Sequence, residues 1–143
     1  MRFRKEYDFL SNLYEAPVTV EILGRNYTFR NAEAAFQVHK SDDPEEISKF
    51  QTMSGVPAKR YGKRVHIPGG IEAWNERRID VMKYVVTEKF KQNPDLMQKL
   101  RNVEGDIVED NTWNDTFWGV CRGNGLNHLG KILMMVRDDA KQC

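Results

Sequence analysis

Glu33, Gln37 and Lys40 lie at i, i+4 and i+7 within "RNAEAAFQVHK". That spacing puts a carboxylate, a carboxamide and an amine in one file along a helix. On a wet surface such a Glu and Lys do little, because exposed pairs are weak. Held out of water, the same groups can do chemistry: a carboxylate moves a proton or steadies a developing cation, and a deprotonated amine attacks an imine or carbonyl carbon. A second group of residues sits late in the chain, in "EDNTWNDTFWGVCRGNGLNHLG", where Trp113, Phe117 and Trp118 surround Asp115 ahead of several glycines. Loops are normally poor in large aromatics, so this segment either closes the end of a core or stacks on something flat. Its glycines come without the lysine of a P-loop and without a G-x-G-x-x-G opening after a clear strand, which excludes a mononucleotide-binding fold. Asn127, at the next helix start, is expected to offer free backbone N–H groups to an anionic phosphate.

The elements that must position these residues are legible in part. "APVTVEILGRNYTFRN" alternates Val18, Val20 and Ile22 with polar partners, turns at Gly24 and resumes with Tyr27 and Phe29, a short hairpin. Asn31 then caps a helix that buries Ala32, Ala35 and Phe36 and runs on to His39 and Lys40. "DDPEEISKFQTM" predicts a second helix with Asp43 as cap, Pro44 at its first position, Glu46 completing a capping box and Gly55 ending it. A helical turn or two from Pro57 gathers Lys59, Arg60, Lys63 and Arg64, the one dense basic cluster, expected to rim a pocket and meet phosphate. The longest amphipathic stretch runs from Gly69 to Asn93, with Trp74, Val81, Met82, Val85, Val86 and Phe90 facing a core. Pro94 opens another helix, a strand is expected around Ile107 and Val108, and the last helix carries Leu129, Ile132, Leu133 and Val136. The fold class is mainly α with a small β element.

Composition bounds the function. The 143 residues read as a single domain, 1–143, with no repeat or low-complexity segment. With 22 basic residues against 21 acidic ones, no global field drives nonspecific duplex or membrane binding, so any nucleic-acid contact is local. No apolar run approaches a membrane span, and "MRFRKEYDFL" lacks the apolar core of a signal peptide, which predicts a cytoplasmic protein. Cys121 and Cys143 are too few for a disulfide framework, and His39, His66 and His128 are scattered, so neither a metal nor another cofactor is expected.

Together "FLSNLY", "AEAAFQVHK", "AKRYG", a tryptophan opening a long helix, "KFKQNPDL", "DTFWG" and "NHLGKILMMVR" occur in the order and spacing of the NADAR, or YbiA-like, family. The chain resembles that family from Phe9 to about Arg137. One departure stands out: many members carry Ser or Thr before the glutamate and His after it, where this chain has Ala32 and Ala34. The role of Glu33 survives this, but no relay through an adjacent His is expected.

The resemblance implies a single-domain YbiA-like fold and an N-glycosidase acting on ribose attached to nitrogen. Its substrate classes are ADP-ribose on guanine in DNA or RNA, an antitoxin-like reversal that implies a cognate ADP-ribosyltransferase toxin, and phosphoribosylamino intermediates of riboflavin synthesis. The resemblance carries Glu33, Lys40, Trp74, Asp115, Trp118 and Asn127 into the site, and Gly119 is expected to contact substrate beside them. Breaking a ribosyl C–N bond needs a carboxylate near the anomeric carbon and a proton for the departing nitrogen, which Glu33 and Asp115 could supply. Alternatively the ribose opens to an imine and a deprotonated Lys40 exchanges in as a Schiff base. That route requires desolvation to lower the amine's pKa, with Glu33 pushing the other way. Phe9, Trp74 and Trp118 are expected to stack on a base, and Ser11, Asn12, Lys59 and Arg78 to meet ribose hydroxyls or phosphates. A non-catalytic module that binds ADP-ribose would use the same groups without turnover, whereas a purely structural domain would not need Glu33, Lys40 and Asp115 among aromatics.

Overall fold

The computed structural model describes residues 1–141, so Cys143 lies outside the described residues. The chain divides into two compact units, one of Asn12–Asn93 and one of Met1–Ser11 with the chain from Pro94 onward.

The first of these begins with the expected hairpin. Strand β1 (Glu15–Ile22) pairs antiparallel with β2 (Arg25–Asn31), setting Val18 opposite Phe29 and Val20 opposite Tyr27. Leu23 and Gly24 turn the chain with φ of 53° and 81°, the left-handed pair whose twist matches a two-residue hairpin. Ala16, Val18, Val20 and Ile22 alternate inward, with a register irregularity beside Pro17, which has no N–H for a ladder. Asn31 ends β2 and caps α1 (Ala32–Gln37), its Oδ1 accepting from the Ala34 N–H at 2.8 Å. Its Nδ2 donates to Glu15 Oε2 at 3.1 Å and to the Met53 carbonyl at 3.0 Å, which fixes where the helix leaves the sheet.

Ala32, Ala34 and Ala35 are all fully buried with Val18, Val20, Phe29, Ile47, Phe50, Ala58 and Val85. Small side chains there let α1 lie close to its neighbours, and Ala34 points into that core. The α-helical geometry stops at Gln37; Val38–Lys40 tightens into a 3₁₀ turn before Ser41 becomes extended. This shortens the expected helix and changes the direction in which Lys40 leaves the backbone.

Helix α2 (Pro44–Phe50) starts where expected, but the capping box does not form. Asp43 accepts from the Glu45 N–H at 3.0 Å, its own N–H goes to Ser41 Oγ at 3.1 Å, and the Glu46 carboxylate turns to Lys49 at 3.4 Å. Gly55 does not end α2. It opens α3 (Gly55–Tyr61), where a Cβ would stand 2.8 Å from Leu13 Cα. The long helix α4 (Gly70–Gln92) buries Trp74, Met82, Val85, Val86 and Phe90, with Val81 partly buried beside them.

The second unit holds a 3₁₀ turn at Lys5–Leu10, α5 (Pro94–Arg101), two short parallel strands β3 (Asp110–Asn111) and β4 (Val120–Cys121), and α6 (His128–Lys141). Leu96, Leu100, Val103, Ile107, Leu129, Ile132, Leu133 and Val136 are buried. The strand expected at Ile107 and Val108 is absent; pairing begins only at Asp110. In place of a ladder, the Asn127 Nδ2 donates to the Ile107 carbonyl and the N-terminal amine to the Val108 carbonyl, each at 3.0 Å, while just upstream the buried Arg137 donates to the carbonyls of Val103 at 3.0 Å and Gly105 at 2.6 Å.

Candidate active site

Glu33 and Lys40 are both half-buried, and each is tied to a neighbour by a hydrogen bond. The Glu33 N–H donates to the Asn12 carbonyl at 2.9 Å, and its carboxylate Oε2 accepts from Gln37 Nε2 at 2.9 Å. The Lys40 ammonium donates to the Gly62 carbonyl at 3.2 Å and stands 5.6 Å from the centre of the Trp74 ring. Phe36 packs against the same indole at 5.2 Å, and the Arg77 guanidinium lies 4.9 Å from its centre. Burial pulls the Lys40 amine below its ordinary pKa of 10.5, Glu33 opposes that pull, and the nearby charge of Lys63 adds to it. The result is an amine that gives up its proton more easily than a surface lysine does, near a carboxylate whose charge holds that proton back in part.

His39 is a separate matter. Its Nδ1 lies 2.6 Å from the Ala35 carbonyl, one turn back, and its ring meets Tyr84 edge-on. Burial first, and the Arg77 charge as a lesser cause, lower its pKa against the opposing effect of the Ala35 hydrogen bond. A carbonyl partner requires that Nδ1 carry the proton.

The remaining expected residues of this unit divide. Asn12 is 7% exposed, its Nδ2 donates to Met82 Sδ at 3.3 Å, and its Oδ1 is buried without a hydrogen-bond partner. That oxygen is suited to a ligand hydroxyl or amine. Lys59, in the last turn of α3, and Arg78, one turn beyond Trp74 on α4, are half-buried. Lys63 is near enough to Lys40 to be felt there. Arg64 lines a different cavity of about 270 Å³ with Ser41, Asp43, Glu46, Tyr61 and His66. Trp74 corrects an expectation: at 3% exposure it has no open face for a base, and serves as the ring against which Lys40 and Arg77 rest.

In the other unit Asp115 organises its own loop. Its Oδ1 accepts from the N–H groups of Phe117 at 3.1 Å and Trp118 at 2.9 Å, while Asn111 spans the turn through the Asp115 N–H and carbonyl. Trp118 is half-buried, edge-on to Phe117 at 4.8 Å, and Trp113 is 56% exposed. Ser11 closes the N-terminal 3₁₀ turn and is half-buried.

Two expectations fail here, for Phe9 and Asn127. Phe9 is 2% exposed and belongs to the core, with no face to stack on a base. Gly119 has a reason within the chain to lack a side chain, because a Cβ there would collide with the Glu109 carbonyl and stand 2.8 Å from Asn111 Nδ2. Asn127 presents no free anion site: the N–H groups of Asn127, His128 and Leu129 donate to the carbonyls of Gly119, Phe117 and Trp118. Its buried side chain bonds backbone twice, Nδ2 to the Ile107 carbonyl at 3.0 Å and Oδ1 from the Glu109 N–H at 3.0 Å. The helix start is thus filled by the chain's own carbonyls.

Two residues gain a place that their sequence positions did not announce. Gln37 was visible only as the middle of a file, and Arg77 could have been found from its i+3 spacing to Trp74. Among the described residues no group of three or more His, Cys, Asp or Glu could hold a metal ion, and no helix is long and apolar enough to cross a membrane.

The NADAR domain model matches residues 2–141. The chain belongs to the NADAR family. It is 36% identical over 106 residues to N-glycosidase Npun_R5314 of Nostoc punctiforme, covering 73% of this chain and 60% of that one. Riboflavin biosynthesis protein VVA0006 of Vibrio vulnificus is 29% identical over 139 residues, 96% of this chain but 37% of that protein. This NADAR chain therefore spans less than two-thirds of the length of either relative. The NMR structure of the E. coli protein YbiA superposes with a TM-score of 0.79 at 26% identity, covering 99% of this chain and 84% of that one. The mainly helical fold with a small β element is thus the YbiA-like fold.

Proposed function

We propose that this NADAR chain is an N-glycosidase that hydrolyses ribose from nitrogen, with ADP-ribosylated guanine in DNA or RNA as its substrate. The observation that carries the reading is the Lys40 amine, depressed by burial beside Glu33 and held at the Gly62 carbonyl. Solvated surface lysines are not kept this way. In the reaction the ribose ring opens to an imine on the exocyclic nitrogen. Neutral Lys40 attacks C1′, the guanine amine leaves with a proton, and the lysine holds the sugar as a Schiff base. Water then adds to that carbon and releases ADP-ribose and the free amine. Glu33 takes and returns the protons. Direct attack of water on an oxocarbenium-like centre, steadied by Glu33, is the competing route. Lys63, whose charge is felt at Lys40, favours a substrate with phosphates.

A second reading has its own support, since two relatives are named riboflavin biosynthesis proteins. A phosphoribosylamino pyrimidine presents the same N-linked ribose with one phosphate. The deciding experiment incubates the protein with guanine-ADP-ribosylated oligonucleotide and, separately, with that pyrimidine, and follows products by mass spectrometry. Free ADP-ribose and restored guanine are expected. Release from the pyrimidine alone moves the assignment to the second reading, and binding without release from either makes the chain a binding module.

A further inference from the structure

Gly62 is the last residue of "AKRYG" and closes α3 at φ −59°, ψ −20°. This is ordinary right-handed helical backbone, which alanine adopts at least as readily as glycine. Conformation therefore gives no reason for a glycine here. The surroundings do: a Cβ at this position would collide with Gln37 Oε1 and stand 2.7 Å from Gln37 Cδ.

The Gln37 carboxamide occupying that space is 7% exposed. Its Nε2 donates to Glu33 Oε2 at 2.9 Å, while its Oε1, against Gly62, is buried with no hydrogen-bond partner. Rotating the amide would set its oxygen against a carboxylate, so the Glu33 charge fixes which end faces which way. The chain thus leaves a buried acceptor unbonded in order to keep an N–H on Glu33. The backbone carbonyl of the same Gly62 receives the Lys40 ammonium.

We propose that Gly62 and Gln37 are the positioning pair of the glycosidase site. The missing side chain at Gly62 seats the Gln37 carboxamide, which aims Glu33, and the Gly62 carbonyl sets the Lys40 amine, so one residue holds the spacing of both groups. This inference rests on the N-glycosidase reading for its turnover consequences, but its geometry is testable without substrate.

The experiment is a double-mutant cycle of Gly62→Ala and Gln37→Ala. An added methyl at Gly62 meets the far end of a flexible side chain, so the carboxamide yields rather than the backbone, and the fold is retained. In substrate-free protein with labelled glutamate, the Glu33 carboxyl protonates at higher pH in each single variant than in the parent, because a carboxylate that loses an N–H donor is a stronger base. With substrate, kcat falls at least tenfold in each while KM changes less than threefold, and the acidic limb of the kcat profile moves to higher pH. The double variant behaves like Gln37→Ala alone, since the methyl then has no carboxamide to displace. If Gly62→Ala lowers the denaturation midpoint, removing the carboxamide restores it. Parental titration of Glu33 in Gly62→Ala, or effects that add in the double variant, overturn the proposal. A parent that turns over no N-ribosyl substrate defeats the N-glycosidase reading instead, and leaves the titration cycle standing as the test of the pair.

Discussion

Asn127→Ala separates two accounts of a residue expected to meet phosphate. The substitution removes both side-chain bonds, leaving the Ile107 carbonyl and the Glu109 N–H buried and unbonded. Each orphaned group costs roughly 1–3 kcal/mol. Asn127 also sits at φ 55°, a left-handed conformation that asparagine tolerates and alanine adopts only at roughly 1–2 kcal/mol. Partial relaxation around the new gap brings the expected loss to about 3–5 kcal/mol, a large fraction of the 5–15 that a domain has, and lowers Tm by roughly 10 °C. Asn127→Asp keeps the acceptor for the Glu109 N–H but sets a buried carboxylate oxygen against the Ile107 carbonyl, so at neutral pH it costs at least as much as the alanine and is less harmful at acidic pH, where a protonated carboxyl donates to that carbonyl. Urea unfolding followed by tryptophan fluorescence measures all three proteins, and turnover is compared at a temperature where each is folded. An alanine variant within about 1 kcal/mol of the parent, but with substrate affinity lost, would refute the structural role and return Asn127 to the ligand.

Lys40→Met abolishes turnover yet raises stability at neutral pH, since it removes an ammonium held out of water. Because the folded value lies below 10.5, the unfolded chain binds more protons between the two, so parental stability climbs with pH in that alkaline window; comparing urea midpoints at pH 7 and pH 10 shows the climb reduced in the variant. Lys40→Arg is equally inactive, because a guanidinium stays protonated, and borohydride during parental turnover leaves a ribosyl mass on the Lys40 peptide. His39, lowered from 6.5, binds its proton first in the unfolded state as pH falls, so stability drops below about pH 6.5, and His39→Leu flattens that drop in thermal melts across pH 5–7. Asp115→Asn keeps the Oδ1 acceptor for Phe117 and Trp118 and loses less activity than Glu33→Gln, for which a fall on the order of a hundredfold is expected; an equally inactive but stable Asp115→Asn would make that carboxylate a proton donor.

Periodicity and punctuation told most about the local elements. The hairpin turn at Gly24, the Asn31 cap, the Pro44 start and the helix opening near Gly70 each follow from side chains acting on backbone within a few residues. The pairing of Glu33 with Gln37 one turn on follows in the same way, whereas Lys40 leaves that file because the chain tightens into a 3₁₀ turn at Val38. Elements set by distant partners were read less well. Asp43 and Glu46 spell a capping box, yet Ser41 and Lys49 compete for the same groups and win. Gly55 reads as helix punctuation and Gly62 only as part of a motif, whereas Leu13 and Gln37 are what exclude a side chain there. Phe9, Trp74 and Asn127 have residue types that suit ligand contact as well as packing, and only their burial and partners separate the two. A sequence fixes which groups are present and how they repeat along a helix or strand. The water taken from Lys40, the carbonyl given to its ammonium and the space kept for Gln37 come from chain segments far apart in sequence, so those were decided by the tertiary structure.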